Sequence, residues 1–188
     1  MKFNMALTKK ISIIISIFAS LICVTAISQA QTNSDSVIIV SAGQPELDMV
    51  AVDSFYKRFN IDISKADNPN LYLETFRWYK TCYRYGGSTD NGIDCSGFVN
   101  MLVEYTKGKK LPRSSADMFN VCTPLADDDI PAEGDLVFFK IRKGRISHVG
   151  VYLQHGKFAH SSTSAGVIIS DLEEPYYNKY FYKAGRIK

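Results

Sequence analysis

The stretch NGIDCSGFVN, residues 91–100, sets Cys95 between Asp94 and a Ser-Gly pair. An apolar run with helical spacing follows: Phe98, Leu102 and Tyr105, with Val99, Met101 and Val103 beside them. Asp94 then reads as the N-cap of a helix and Cys95 as its first-turn residue. Free N–H groups and the positive end of the helix dipole favour an anion there. A thiol so placed is expected to have a lowered pKa and to be partly thiolate, its nucleophilic form. Gly97 keeps the next turn narrow, so another group can approach. A buried structural cysteine would fit the same position, and position alone does not decide.

Histidine tips the balance. The chain has three, His148, His155 and His160, all in one short segment. A thiolate nucleophile needs a base, and the base needs a group that holds its tautomer. His148 opens the predicted strand HVGVYL and His160 lies near the end of the next, KFAHSS. A two-residue turn at His155-Gly156 would point the two rings to opposite faces. A three-residue loop with Gly156 left-handed in a bulge instead sets Leu153 against Lys157 and Gly150 against His160. His148 and His160 then share a face as diagonal neighbours, with backbones about 7–8 Å apart. Gly150 has no side chain to block the His160 ring, and His155 is left solvated at the turn. A zinc site made of Cys95, His148 and His160 is the rival reading; the spacing fits no short ligand pattern, so no metal and no cofactor is expected.

The elements that must position these groups form an α+β pattern, helices first and short strands later, which implies an antiparallel sheet. NPNLYLETFRWYKT reads as a first helix capped by Asn68 or Asn70, and CYRYGGSTDNG as a loop. The cysteine helix runs to about Thr106. Strands are expected over 135–140, 148–153, 157–162, 166–171 and the terminal AGRIK.

Residues 1–30 read as a secretory signal peptide: Lys2, Lys9 and Lys10, an apolar run from Ile11 to Ala26, then small residues Ser28 and Ala30. Cys23 raises a lipid-anchor alternative, which bulky Ile22 before it disfavours. Residues 31–67, with the apolar run SVIIV and a short helix near Leu47 to Phe59, are expected to be a leader packed loosely on a domain over 68–188. The mature chain would have no transmembrane span. Without the signal's three lysines its 19 remaining basic residues match its 19 acidic ones, so nucleic acid is not expected as a partner. Cys82, Cys95 and Cys122 are an odd set for an exported chain, so at least one thiol stays free, and a Cys82–Cys122 bridge is one possibility.

Five stretches, YRYGGSTDNGIDCSGFV, LPRSSADM, GDLVFF, SHVGVYL and FAHSSTSAGVIIS, stand in one order along the chain. Together they resemble the NlpC/P60 family of cell-wall cysteine peptidases, and most nearly its Spr-type murein endopeptidases, over about Leu71 to Lys188. The resemblance implies a reduced papain-like fold, with N-terminal helices packed on the sheet. It also implies hydrolysis of amide bonds in peptidoglycan stem peptides or crosslinks. It makes Cys95 the nucleophile, His148 the general base and His160 the orienting third residue. It makes Tyr83 a hydroxyl partner of the Cys95 backbone N–H at the oxyanion. Asp94 and Ser96 flank the site as substrate contacts or caps, and Arg113 of LPR lies near the cleft in relatives. Cys82 stands where proline is frequent in relatives, and Met118 where glutamine is common. No separate SH3-type wall-binding module is expected.

The function so implied is a secreted cysteine endopeptidase of the periplasm or cell envelope, a monomer whose partner is peptidoglycan peptide. An acyltransferase or amidase with the same triad, or a catalytically silent wall-binding domain, are the alternatives. Within the peptide, the Spr-type resemblance favours a D-alanyl–diaminopimelate crosslink, whereas the wider family favours the γ-D-glutamyl–diaminopimelate bond.

Overall fold

The computed structural model describes residues 47–188. The predicted signal peptide, the lipidation alternative at Cys23 and the SVIIV run lie outside the described residues. Two short helices open the described chain. Helix α1, Met49–Lys57, is capped by the Asp48 carboxylate, which accepts the Val50 N–H at 2.9 Å. Helix α2, Pro69–Trp78, starts with proline at its first position, where no N–H is needed. Asn68 is its N-cap but gives no side-chain cap bond.

Helix α3, Cys95–Lys107, is the central helix, and it ends at left-handed Gly108. A two-strand hairpin, β1 (Ser88–Thr89) and β2 (Gly92–Ile93), leads into it. After α3 come a short helix α4 (Ser115–Val121) and a six-stranded antiparallel sheet of order β3-β8-β4-β5-β6-β7. Its strands are β3 (Cys122–Pro124), β4 (Leu136–Phe139), β5 (His148–Tyr152), β6 (Lys157–Ser162), β7 (Gly166–Asp171) and β8 (Phe181–Ile187). A last helix, α5 (Pro175–Tyr180), joins β7 to β8. The architecture is the expected α+β one. Helices α4 and α5 and the strand β3 carry too short a pattern to stand out in the sequence.

Alternation along the strands splits the apolar residues into two clusters. One face of the sheet gives Leu136, Phe138, Val149, Val151 and Ala159 to a core that also takes Phe98, Val99 and Leu102 of α3. Burying a side chain of this size contributes about 1.5–3 kcal/mol. The other face gives Val137, Phe139, Tyr152 and Phe158, which pack with Tyr177 of α5.

The described part of the segment before residue 68, residues 47–67, is packed tightly, not loosely. Val52 and Tyr56 of α1 are fully buried in the main core, and the Tyr56 hydroxyl donates to the Tyr72 carbonyl at 2.6 Å. Aromatic residues in a short helix need such a surface to cover them, and α2 provides it through Phe76 and Tyr72.

Cys82, Cys95 and Cys122 are all free thiols. Cys122 lies on β3, one edge of the sheet, whereas Cys82 packs beside Gly166 at the start of β7, the other edge. Five strand steps of about 4.8 Å separate these edges, far beyond the reach of a disulfide. Among the described residues no helix is long and apolar enough to cross a membrane.

Candidate active site

The hairpin β5–β6 has the register that brings the two histidines together. Val151 pairs with Ala159 and Tyr152 with Phe158, so Gly150 falls opposite His160. The turn is built differently from expectation. Both His155 and Gly156 have positive φ, and the Lys157 N–H bonds Gln154 while its carbonyl accepts from Leu153. The extra residue is thus absorbed at Leu153–Gln154, and the facing is unchanged. A Cβ on Gly150 would sit 2.7 Å from the Phe158 ring and 3.2 Å from the His160 Cβ. Glycine is what lets the His160 side chain occupy this place. His148 Nε2 lies 2.9 Å from His160 Nδ1, and both rings are buried. His155 is exposed at the turn.

Cys95 is the first residue of α3, as expected. Asp94 caps the helix, its Oδ1 accepting the Gly97 N–H at 2.7 Å. The same oxygen accepts from Ser96 Oγ at 3.0 Å and Arg113 Nη1 at 2.6 Å, and Oδ2 accepts the Gly86 N–H at 2.8 Å. Arg113 also donates to Ser96 Oγ and to the Gly87 carbonyl, each at 2.7 Å. A Cβ on Gly97 would lie 2.5 Å from that carbonyl and 2.9 Å from the guanidinium. The narrow turn admits these two groups. Ser161 of β6 donates to the Ile93 carbonyl at 2.7 Å and ties the strand of His160 to the hairpin that precedes Cys95.

These groups converge on one cleft of about 580 Å³. Cys95, His148, His160, Tyr83, Asp94, Ser96 and Arg113 all line it, so the seven candidate site residues reach the same place. His148 spends Nε2 on His160, which leaves Nδ1 as the ring nitrogen free for another partner.

The electrostatics depart from expectation. Burial and the Asp94 carboxylate raise the Cys95 thiol, while N–H groups of Val149, Ser96 and Cys95 itself pull the other way. The helix end is present, but desolvation outweighs it. Burial pushes His148 down to about 4 and His160 well below its usual value, the latter also through His148. Burial works against the Asp94 charge, yet Arg113 and the Gly97 and Gly86 N–H groups hold its carboxyl below the ordinary range. Burial thus acts in one sense on all three groups, favouring the neutral thiol and the neutral imidazoles. Burial above all, with the Asp94 carboxylate adding to it, raises the Tyr83 phenol, so it stays a donor.

A match to the NlpC/P60 family runs over residues 80–186, a span that holds the cysteine, both buried histidines, Tyr83 and Arg113. The chain belongs to the NlpC/P60 family. The probable endopeptidase NlpC of Escherichia coli K12 is 42% identical over 111 residues, 58% of this chain and 71% of that protein. The murein DD-endopeptidase MepS/murein LD-carboxypeptidase of the same strain is 42% identical over 129 residues, 68% of this chain and 65% of that one. Among solved structures, an NlpC/P60 family protein of Bacillus cereus has a TM-score of 0.57 at 26% identity, covering 66% of this chain and 42% of that one.

In this NlpC/P60 domain, sequence reasoning missed Ser170 and Tyr177. Their hydroxyls each lie 3.2 Å from His160 Nε2. A serine in a strand and a tyrosine in a six-residue helix carry no local signal of such a role. Only the register of β6 against β7, which places Ser170 diagonally from His160, could have found the first. Met118 is fully buried on α4 and belongs to the core.

Proposed function

We propose that the chain is a cysteine endopeptidase that hydrolyses peptide bonds in peptidoglycan, with Cys95 as nucleophile, His148 as general base and His160 as the residue that orients it. The observation that carries this reading is the buried His148–His160 pair, 2.9 Å apart, in one cleft with a cysteine at a helix start. Cys95 Sγ attacks the scissile carbonyl as its proton passes to His148 Nδ1. The tetrahedral oxyanion is held by the Cys95 backbone N–H and the Tyr83 hydroxyl. His148 returns the proton to the leaving amine, and a thioester remains. Water activated by His148 then attacks the thioester and releases the acid.

The relatives named as murein endopeptidase support peptidoglycan as the substrate. The make-up of the cleft supports its peptide and not its sugar. Glycan hydrolysis normally needs two carboxylates about 5–10 Å apart. Among the described residues lining the cleft, Asp94 is the one acid, and Arg113 neutralises it. Arg142 also lines the cleft, and among the described residues its guanidinium has no ion-pair partner. That charge suits a peptide rich in carboxylates. It also favours a second reading, release of a C-terminal residue, the activity named for the second relative. The proposed substrate and the signal-peptide pattern of residues 1–30 both support a site of action in the periplasm or cell envelope.

Mass spectrometry of defined muropeptides after incubation with the protein tests the reading. Crosslinked dimers converted to intact monomeric stems support a D-alanyl–diaminopimelate cut. Release of L-Ala–γ-D-Glu fragments supports a cut within the stem. New reducing sugar ends on intact peptides would contradict the peptidase assignment.

A further inference from the structure

Three adjacent strands line up His148, His160 and Ser170 on one face of the sheet. Gly150 falls opposite His160, and His160 pairs with Ile168, so His148 and Ser170 are its diagonal neighbours on either side. Tyr177 comes down on the same spot from α5. His160 Nε2 lies 3.2 Å from Ser170 Oγ and 3.2 Å from Tyr177 Oη. Ser170 is 5% exposed, Tyr177 9% and His160 1%, so water does not substitute freely for either hydroxyl.

Proton counting shows what this contact does. His148 accepts the thiol proton only if its Nδ1 is bare. A neutral ring then carries its hydrogen on Nε2, which donates to His160 Nδ1. His160 Nδ1 is in turn bare, and its own hydrogen must sit on Nε2. That N–H is buried and needs an acceptor. In the opposite arrangement a hydroxyl donates to His160 Nε2, His160 donates to His148 Nε2, and His148 Nδ1 carries a hydrogen that disqualifies it as a base. The two arrangements use the same heavy-atom positions.

We propose that Ser170 and Tyr177 are positioning residues that accept the His160 Nε2–H and so select the tautomer pair in which His148 can take the thiol proton. The sidedness follows from the reaction. Once His148 has become an imidazolium, its Nε2–H points at His160 Nδ1, and only the Nε2–H form of His160 can accept it. Ser170 and Tyr177 then present two hydroxyl oxygens to that N–H, and no proton leaves the chain of groups. Loss of one hydroxyl leaves the other in place. Loss of both strands a buried donor, an effect far larger than the two single losses.

This inference rests on the peptidase reading for its consequence, but its first test needs no substrate. Side-chain ¹⁵N NMR of the protein at neutral pH reads the tautomer of each histidine directly. His160 protonated at Nε2, with Nδ1 bare, is expected; His160 protonated at Nδ1 overturns the proposal, whatever bond the enzyme cuts. In kinetics, Ser170→Ala and Tyr177→Phe should each lower kcat a few-fold. The double variant should lower it roughly tenfold to a hundredfold, more than the product of the singles, with KM unchanged. Ser170→Thr, which keeps a hydroxyl, should retain activity in the Tyr177→Phe background. A double variant with wild-type kcat overturns the proposal. If the double variant does not fold, the wild-type spectrum decides alone.

Discussion

His160 Nδ1 meets His148 Nε2 at 2.9 Å because the hairpin between them absorbs one extra residue at its turn. A tight two-residue pairing without that residue would turn the rings to opposite faces of the sheet. The roles of the two rings differ accordingly. His148 lines the cleft and, among the described residues, has no hydrogen-bond partner at Nδ1, whereas both nitrogens of His160 are engaged within the protein.

His160 should therefore tolerate asparagine better than His148 does. An amide oxygen can accept the His148 Nε2–H, but no amide performs the proton transfer assigned to His148. His148→Asn is expected to lower kcat by about 10²–10⁴-fold. His160→Asn should retain clearly more activity than His160→Ala. Steady-state kinetics of the three variants check this, and near-wild-type activity in His148→Asn with loss in His160→Asn would reverse the roles.

The acid limb of kcat/KM should fall near pH 4, not near the ordinary histidine value of about 6.5. Burial lowers His148, so the base form persists as pH drops and is lost only when the ring protonates. Stability follows the same sign. The folded value is depressed below the unfolded one, so the contribution is complete above about pH 6.5 and is lost as pH falls toward 4. Burial gives His160 the same direction. Parallel pH profiles of kcat/KM and of melting temperature check both; an activity limb near 6.5 would mean that His148 is hydrated in the working enzyme.

Arg113→Leu should slow the chemistry without touching the nucleophile. It removes the counter-ion of Asp94, whose carboxylate already raises the Cys95 thiol. The thiol should move higher still, and iodoacetamide should modify Cys95 more slowly at neutral pH. The stability cost should be modest, about 1 kcal/mol, because the Arg113 side chain is 44% exposed. Peptide mapping of alkylated Cys95 in both proteins measures this, and an unchanged rate contradicts the electrostatic account. Cys82 is exposed and Cys95 buried, so the mapping must be specific to the site.

Much of this site was legible in the sequence, and the reasons are physical. Asp94-Cys95 announced a helix start because capping chemistry is local, and the cap is as read. The facing of His148 and His160 was legible because strand alternation converts register into side-chain direction, although the extra residue that sets it lies at Leu153–Gln154 and not in the bulge expected at Gly156. The state of the Cys95 thiol was not legible. It depends on how deeply the sulfur is buried and on a carboxylate held beside it, and both are tertiary facts. Ser170 and Tyr177 were hidden for the same kind of reason. They reach His160 through the pairing of β6 with β7 and the packing of α5, which no short stretch encodes. The packing of α1 was underestimated because aromatic residues in a short helix look alike whether covered or not.

The most direct measurement is the turnover of crosslinked muropeptides by the wild-type protein and by Cys95→Ala, followed by mass spectrometry. Equal far-ultraviolet circular dichroism and melting behaviour would first show that both are folded. The wild type should open peptide bonds. Cys95→Ala should be slower by at least about 10⁴-fold, since no other group in the cleft can form the thioester. Peptide cleavage by Cys95→Ala at a rate near that of the wild type would contradict the account.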